Sequence, residues 1–163
     1  MSIALASGTG IESGQSWGPA ARAERVVAEV AARWAVDVDR DARFPQEAID
    51  ALRDQRLLSC AVPAELGGEG ASLRELCTIA RTLGRHCAAT AMVFAMHQTQ
   101  ILSLVRHPGG DGVSAFLRDA VAGGYLLASA TTELGIGGRR PAQYVRGGAV
   151  RRGVVSLVKN APP

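Results

Sequence analysis

The sequence predicts a mainly α protein, in which a bundle of about five helices is followed by the first strands of an incomplete β domain. Between Pro19 and Gly124, apolar residues recur in five segments at the three- and four-residue spacing of amphipathic helices. Beyond that point the short apolar runs "YLLASAT" and "GVVSLVKN" are typical of buried strands. We therefore divide the chain into a Ser- and Gly-rich loose arm (1–18), a helical domain (19–124) and the start of a β domain (125–163).

The first two helices each begin near a proline. Pro19 suits a first helical turn because its φ angle is already close to the helical value, and Pro45 is expected to open the second helix in the same way. The intervening stretch "DVDRDARFP" breaks the helical pattern. The residues expected to face the core are Val26, Val27, Val30, Ala31 and Trp34 in the first helix, and Ala48, Ile49 and Leu52 in the second.

A glycine-rich loop and a capping box precede the third helix. The stretch "VPAELGGEG" contains too many helix- and strand-breaking residues for regular structure. Ser72 and Glu75 have the S-x-x-E spacing in which side chain and backbone cap each other at a helix start. The predicted apolar stripe of this helix is Leu73, Leu76, Cys77, Ala80, Leu83 and Gly84.

The fourth and fifth helices differ in how their apolar residues are distributed. The segment "ATAMVFAMHQTQILSLVRH" is apolar nearly all round in its first half, which predicts a position at the centre of the bundle. The fifth helix ends at Gly123 and Gly124, because glycine favours the conformation that terminates a helix. Its predicted core residues are Val113, Phe116, Leu117, Ala120 and Val121.

Charge is distributed unevenly along the 163 residues. Residues 1–138 carry 12 arginines and 15 acidic residues, whereas residues 139–163 carry six basic residues and no acidic residue. The basic tail has almost no aromatic residues, so a nucleic-acid surface is not favoured. Three cysteines without a CxxC pair, and no basic-then-apolar leader, lead us to expect a reduced, cytoplasmic protein. The apolar run at 88–96 is too short to predict a membrane span.

Common catalytic and metal motifs do not fit. The glycines at 135–138 follow a predicted strand, but Pro141 would disrupt the helix N-terminus that a dinucleotide-binding loop requires. His86 and Cys87 match no common zinc spacing, so no metal site is predicted. His97 has no acidic residue near it in its own helix, which favours a packed or pocket-lining histidine over a base or a ligand.

Thr131, Thr132 and Glu133 leave two interpretations open. They could be no more than a strand terminus. Alternatively, hydroxyl and backbone groups at a strand end, followed by flexible glycines, could hold a flat polar heterocycle without adding a charge.

With the loop "VPAELGGEG", the segment "SATTELGIGG" and the order of elements between them, the chain resembles the acyl-CoA dehydrogenases over about residues 26–138. The resemblance implies a helical N-terminal domain, a β-barrel middle domain and a C-terminal four-helix bundle, with FAD between barrel and bundle. It also implies oxidation of the Cα–Cβ bond of an acyl-CoA thioester, with a carboxylate removing the α-proton and flavin N5 taking the β-hydride. An electron acceptor and a homo-oligomeric parent enzyme are expected with it.

The resemblance assigns roles to seven residues. Thr132 would contact the flavin ring near N5, and Ser129 and Thr131 would add neighbouring contacts. Gly138 belongs to the same flavin segment but stands where many members have a serine, so a contact through that hydroxyl is lost. The fourth helix borders the acyl chain in the family, which makes Thr90, Phe94 and His97 candidate substrate-binding residues. Glu133 lies in the flavin segment, and no catalytic residue is assigned.

The match to the family stops after Gly138 and returns at "SLVKNAP". We hypothesise that residues 139–148 are read out of frame, because a one-nucleotide insertion before a family-like coding sequence can generate them. The family's catalytic base lies in the C-terminal bundle and has no counterpart here. We therefore expect this chain alone to be inactive and to bind flavin only marginally. The alternatives are a non-enzymatic helical interaction module and a fragment of a related flavin-dependent monooxygenase.

Overall fold

A computed structural model describes residues 18–107 and 111–128, and these residues form a helical domain. The mainly α prediction is confirmed for this part of the chain, within which no strand occurs. Residues 125–128, at the start of the first predicted strand, have no regular secondary structure, and the rest of the predicted β domain lies outside the described residues. The α-helices are α1 (Pro19–Val26), α2 (Ala32–Arg40), α3 (Gln46–Asp54), α4 (Leu73–Gly84), α5 (Ala88–Arg106) and α6 (Asp111–Gly123).

The predicted first helix is a continuous rod with a π-helical segment in its middle. Helix α1 leads into the segment Val27–Ala31, which leads directly into α2. The backbone N–H of Ala32 donates to the carbonyl oxygen of Val27, five residues back, as expected where one extra residue is inserted in a turn. The rod ends at Arg40, inside the stretch predicted to break it. No periodicity in the sequence indicated the inserted residue.

Two clusters of buried apolar side chains lie along this rod. The larger cluster collects residues from α1, α3, α4, α5, α6 and the chain between α3 and α4. The smaller cluster lies toward the end of α2 and consists of Ala31, Val38, Ala48 and Cys87, with Trp34 partly buried beside it. The π-helical segment contributes Val27 to the larger cluster and Ala31 to the smaller one, so α1 and α2 contribute to different parts of the core.

The chain between α3 and α4 is compact and closely hydrogen-bonded. Arg56 adopts a left-handed conformation (φ 57°) and leads into a buried 3₁₀ turn, Leu57–Ser59. The glycine-rich loop then folds back on itself, with the N–H of Gly70 donating to the carbonyl oxygen of Val62 at 2.8 Å. Gly68 lies so close to Val62 that a Cβ there would overlap its backbone carbonyl group. The stretch is a loop apart from a short 3₁₀ turn, Ala64–Leu66, which the prediction of no regular structure missed, and its glycines are required by geometry.

Helix α4 begins as predicted but presents a different face to the core. The Ser72 hydroxyl accepts from the N–H of Glu75, and the Glu75 carboxylate accepts from the N–H of Ser72, which completes the capping box. Its buried residues are Leu76, Ile79 and Leu83. The predicted stripe was wrong at Leu73, Cys77 and Gly84, which are exposed, and it omitted Ile79. The stripe is centred on Ile79 because that side of α4 packs against α5 and α1.

Helix α5 contacts α4 on one side and is open on another. The prediction of a central helix holds for the face that carries Phe94 and Ile101, both fully buried. On the opposite face, Met92 is 64% exposed and Met96 47% exposed. By length and composition alone α5 would also qualify as a membrane-crossing helix, a property that core helices of soluble domains share.

Helix α6 ends where the two glycines predicted it. Gly124 has a positive φ of 57°, and the N–H of Tyr125 donates to the carbonyl oxygen of Ala120 while that of Gly124 donates to Val121. These bonds form a Schellman motif, the common glycine-dependent helix ending. Residues 125–128 follow, and they precede in sequence the segment predicted to contact flavin.

Candidate functional site

The predicted substrate-binding residues are buried side by side on α5. Thr90 and Phe94 are completely inaccessible, and His97 retains 1% of its surface. The Thr90 hydroxyl lies 3.1 Å from the Cys87 sulfur, one turn earlier. In this conformation none of the three presents surface to a ligand outside the helical domain. The predicted flavin-contacting residues Ser129, Thr131, Thr132 and Gly138 lie outside the described residues.

His97 bridges two backbone segments through both ring nitrogens. Its Nδ1 atom accepts from the N–H of Leu127 at 2.9 Å. Because a backbone N–H can only donate, Nδ1 carries no proton, and the proton lies on Nε2. That Nε2–H group donates to the carbonyl oxygen of Leu58 at 2.7 Å. The imidazole is therefore a neutral, fully hydrogen-bonded bridge, which agrees with the prediction of a packed histidine.

The surroundings of His97 favour this uncharged form. Burial lowers the pKa of the imidazole from its ordinary value of 6.5, and the hydrogen bond to the Leu58 carbonyl opposes part of that shift. A protonated ring would also place an N–H group against the N–H of Leu127. The geometry and the direction of the pKa shift therefore agree on one protonation state.

Gln98 extends the bridge and was not singled out from the sequence. Its amide Nε2 donates to the carbonyl oxygens of Leu57 and Leu58, at 2.9 and 3.2 Å. The side chain is 3% exposed, and its Oε1 atom has no hydrogen-bond partner among the described residues. Two adjacent α5 side chains thus bind the carbonyl groups of one 3₁₀ turn. The sequence signal was the mid-helix polar cluster at 97–100, which did not reveal the partners.

A second side chain binds the segment that leaves the domain. The Nε atom of Arg53 on α3 donates to the carbonyl oxygen of Gly124 at 2.9 Å. Leu126 and Leu127 pack against the larger core cluster. The exit segment, defined here as residues 124–128, is therefore held by α3 at its start and by α5 near its end.

The exposed face of α5 is apolar and uncharged. Between Ala88 and Val105 the helix contains no Asp, Glu, Lys or Arg. Met92, Ala95 and Met96 are exposed on this face, followed by Thr99 and Ser103. The hydroxyl groups of Thr99 and Ser103 donate to backbone carbonyl groups one turn back, at 2.9 and 2.8 Å. The face therefore offers methyl, methylene and thioether groups with little free hydrogen-bonding capacity.

A separate open cavity of about 660 Å³ lies between the end of α2 and the connection from α4 to α5. Asp39, Arg43, Arg85 and His86 are among its lining residues, and none of the predicted site residues is. Within the described ranges no three His, Cys, Asp or Glu side chains are grouped in a way that could hold a metal ion. Of the three cysteines, Cys60 and Cys87 are buried and Cys77 is exposed.

Comparison with known proteins identifies the class to which this fold belongs. The sequence profile described as "Acyl-CoA dehydrogenase, N-terminal domain" matches residues 20–123. This range begins in α1 and ends with α6, so the match coincides with the helical domain. The chain belongs to the acyl-CoA dehydrogenase family.

Individual relatives are similar over the same part of the chain. Cyclohex-1-ene-1-carbonyl-CoA dehydrogenase of Syntrophus aciditrophicus is 31% identical over 128 residues, which cover 78% of this chain and 30% of the relative. 3-Sulfinopropanoyl-CoA desulfinase of Paraburkholderia xenovorans is 29% identical over 111 residues, covering 68% and 29%. A Pseudomonas putida protein described as "Probable FMNH2-dependent monooxygenase SfnC" is 34% identical over 86 residues, covering 53% and 22%. The aligned residues span less than a third of each of these relatives. No solved structure gives a significant match.

Proposed function

We propose that this chain supplies the helical domain of an FAD-dependent acyl-CoA dehydrogenase, in which α5 borders the acyl chain and residues 129–138 contact the flavin. The observation that carries this proposal is the hydrogen bond between His97 on α5 and Leu127. It holds Leu127, two residues before the proposed flavin segment begins, beside the helix proposed to border the substrate. In the proposed reaction of the parent enzyme, FAD serves as the hydride acceptor for Cα–Cβ oxidation of an acyl-CoA thioester.

The exposed face of α5 supports an acyl-binding role through its chemistry. An alkyl chain needs a surface without charge, and Met92, Ala95 and Met96 provide one. Methionine side chains are flexible and adapt to irregular apolar ligands. Thr90, Phe94 and His97 lie on the buried side of the same helix, so in this proposal they support the binding face from behind.

The chain's methionines permit a direct test. The sequence has three, Met1, Met92 and Met96, so methyl labelling of methionine yields few signals, two of them from the exposed face of α5. We expect an acyl-CoA with a medium-length alkyl chain to shift the Met92 and Met96 methyl signals, while coenzyme A alone does not. A Met92→Ala variant assigns the two signals. Equal shifts with coenzyme A and acyl-CoA, or no shift with either, would count against an acyl-binding face.

Flavin contact requires a separate titration. FAD added to the isotope-labelled chain is expected to shift the amide signals of Thr131 and Thr132 weakly, because most of a family member's flavin site lies outside the aligned third. We also expect no Cα–Cβ oxidation by this chain alone with FAD and an artificial electron acceptor. Turnover, or a stoichiometric yellow complex, would contradict that expectation.

Two other functions are distinguishable in the same experiments. The similarity to the Pseudomonas putida protein supports a flavin-dependent monooxygenase as the parent enzyme, in which case flavin contact without acyl-CoA contact is expected. The exposed apolar face of α5 would also suit a protein partner. A defined oligomer on a sizing column, with no response to acyl-CoA or FAD, would favour that interaction module.

A further inference from the structure

The exit segment (residues 124–128) depends on one imidazole for its last hydrogen bond to the helical domain. Leu127 donates its backbone N–H to Nδ1 of His97, and the same ring donates through Nε2 to Leu58. These two backbone groups are 69 residues apart in the chain. A side chain that joins them must combine an acceptor and a donor at a fixed separation, which apolar residues of similar size lack.

The bridge connects to parts of the domain that are themselves held in place. Leu58 belongs to the 3₁₀ turn whose carbonyl groups also accept from Gln98. At the other end of the exit segment, Arg53 binds the Gly124 carbonyl group and the Schellman motif closes α6. Hydrogen bonds therefore fix the position of Leu127 relative to α5 and the 3₁₀ turn. The orientation of α6 alone does not determine it.

Leu127 precedes Ser129 by two residues and Thr132 by five. A backbone of five residues spans at most roughly 17 Å. Leu127 is therefore the described anchor nearest in sequence to the residues proposed to contact flavin, and the chain keeps Thr132 within that distance of it.

We infer that His97 is a positioning residue, which holds Leu127 beside α5 two residues before the segment proposed to contact flavin. This inference rests on the proposed flavin contact of residues 129–132. His97 itself touches neither substrate nor cofactor in this assignment. Its contribution is a neutral two-sided hydrogen bond between the domain and its exit segment.

The alternative is that His97 only fills space in the core, and it predicts a different result. If volume alone mattered, His97→Leu would preserve the exit segment as well as a polar substitute does. If the two hydrogen bonds matter, His97→Gln should preserve the exit segment better than His97→Leu, because an amide also offers an acceptor atom and a donor group. The comparison of these two variants separates the roles.

The test uses the full 163-residue chain and three measurements. Nitrogen chemical shifts of the wild-type imidazole are expected to show an unprotonated Nδ1 and a protonated Nε2. Hydrogen exchange of the Leu127 amide is expected to be about tenfold faster in His97→Leu than in the wild type, as for the loss of one backbone hydrogen bond, and to recover in His97→Gln. The Ile79 amide of α4 serves as a folding control and should not change.

The third measurement joins the bridge to the flavin. FAD is added to each protein, and the induced shift of the Thr132 amide is compared. We expect the shift in His97→Leu to fall to less than about half of the wild-type value and to return in His97→Gln, since one lost hydrogen bond weakens the held conformation severalfold.

The outcomes are distinguishable. A wild-type imidazole protonated on Nδ1, or a Leu127 amide that exchanges as fast as in an unfolded peptide, overturns the inference without reference to flavin. An equal Thr132 shift in the wild type and in His97→Leu also overturns it, while leaving the proposed flavin contact intact. If FAD shifts no signal in the wild type while the bridge is present, the proposed flavin contact fails, and the positioning role fails with it. Should His97→Leu not fold, the wild-type imidazole and amide measurements still decide whether the bridge exists.

Discussion

The Nε atom of Arg53 donates to the carbonyl oxygen of Gly124 at 2.9 Å, across 71 residues of sequence. Gly124 has a positive φ of 57°, and a Cβ at this position would lie 2.6 Å from Cγ of Arg53. The end of α6 and the side chain that binds it therefore both require glycine at this position.

Replacement of this glycine should destabilise the domain. We expect Gly124→Ala to reduce the free energy of unfolding by about 2 kcal/mol, from left-handed strain and displacement of Arg53. Gly112→Ala is the matched control, because Gly112 lies in the same helix and a Cβ added there would meet no other atom within 4 Å. Urea denaturation followed by circular dichroism measures both. A control variant as unstable as Gly124→Ala would remove this explanation.

The glycine-rich loop offers a second matched pair. A Cβ at Gly68 would overlap the backbone carbonyl of Val62, which cannot move aside, whereas Gly70 has open space and a φ of 66°. We expect Gly68→Ala to cost about 3 kcal/mol or more, and Gly70→Ala only the left-handed strain of about 1–2 kcal/mol. Thermal unfolding of the two variants decides this, and equal melting temperatures would contradict the packing described.

The two faces of α5 should respond differently to truncation. Phe94 is fully buried, so Phe94→Ala is expected to cost about 3–5 kcal/mol through lost contacts and a cavity. Met92 is 64% exposed, so Met92→Ala should change stability by less than about 0.5 kcal/mol. Met92→Ala should nevertheless weaken acyl-CoA contact. A large loss of stability in that variant would mean that the exposed face is covered.

Thiol chemistry should separate the three cysteines. Burial raises the pKa of the Cys60 thiol to about 12, and Cys87 is also buried. Because the thiolate is the nucleophile, only exposed Cys77 should react quickly with a chromogenic disulfide reagent. We expect one fast equivalent in the native protein, none in Cys77→Ser, and three in urea. Two fast equivalents in the native protein would show that one buried site opens.

His97 should make stability fall on mild acidification. Its pKa in the folded protein lies below 6.5, so from about pH 6.5 downwards the unfolded chain binds more protons and stability decreases. The Glu75 carboxylate is different. Its backbone and side-chain hydrogen bonds with Ser72 lower its pKa below 4.5, so that contribution is present above that pH and is lost below it. The histidine effect is therefore separable between pH 7.5 and 5.

Urea titrations over that pH interval measure the histidine effect. His97→Gln should flatten the dependence, because an amide does not titrate. A wild-type protein with constant stability from pH 7.5 to 5 would be incompatible with a neutral buried imidazole.

Sequence reasoning succeeded where a feature depends on nearby residues. The capping box at Ser72 and Glu75 and the glycine ending of α6 are both local, and both are confirmed. It failed where the burial of a residue depends on which other helices pack against its own helix. Exposed Cys77 and buried Ile79 are two residues apart on α4, and only the positions of α1 and α5 decide which of them faces the core.

The candidate site shows the same division more sharply. His97 was recognised as a packed histidine, but its partners Leu58 and Leu127 are 39 and 30 residues away in the sequence. Arg53 carried no local signal, and the polar cluster that contains Gln98 did not indicate its partners, because an arginine and a glutamine on helices are ordinarily solvent-exposed. The roles assigned to Ser129, Thr131, Thr132 and Gly138 stay predictions, because they lie outside the described residues.

The π-helical segment Val27–Ala31 affects any alignment or redesign of this region. One inserted residue rotates everything after it by about 100° relative to a regular helix. A template with constant periodicity through residues 19–40 will therefore place either Val26 or Val38 on the wrong side, although each is buried in its own cluster. Removing one residue from the segment would restore an ordinary helix and would turn Val38 away from Ala48. In this region a regular helix would therefore disrupt the packing of the smaller cluster.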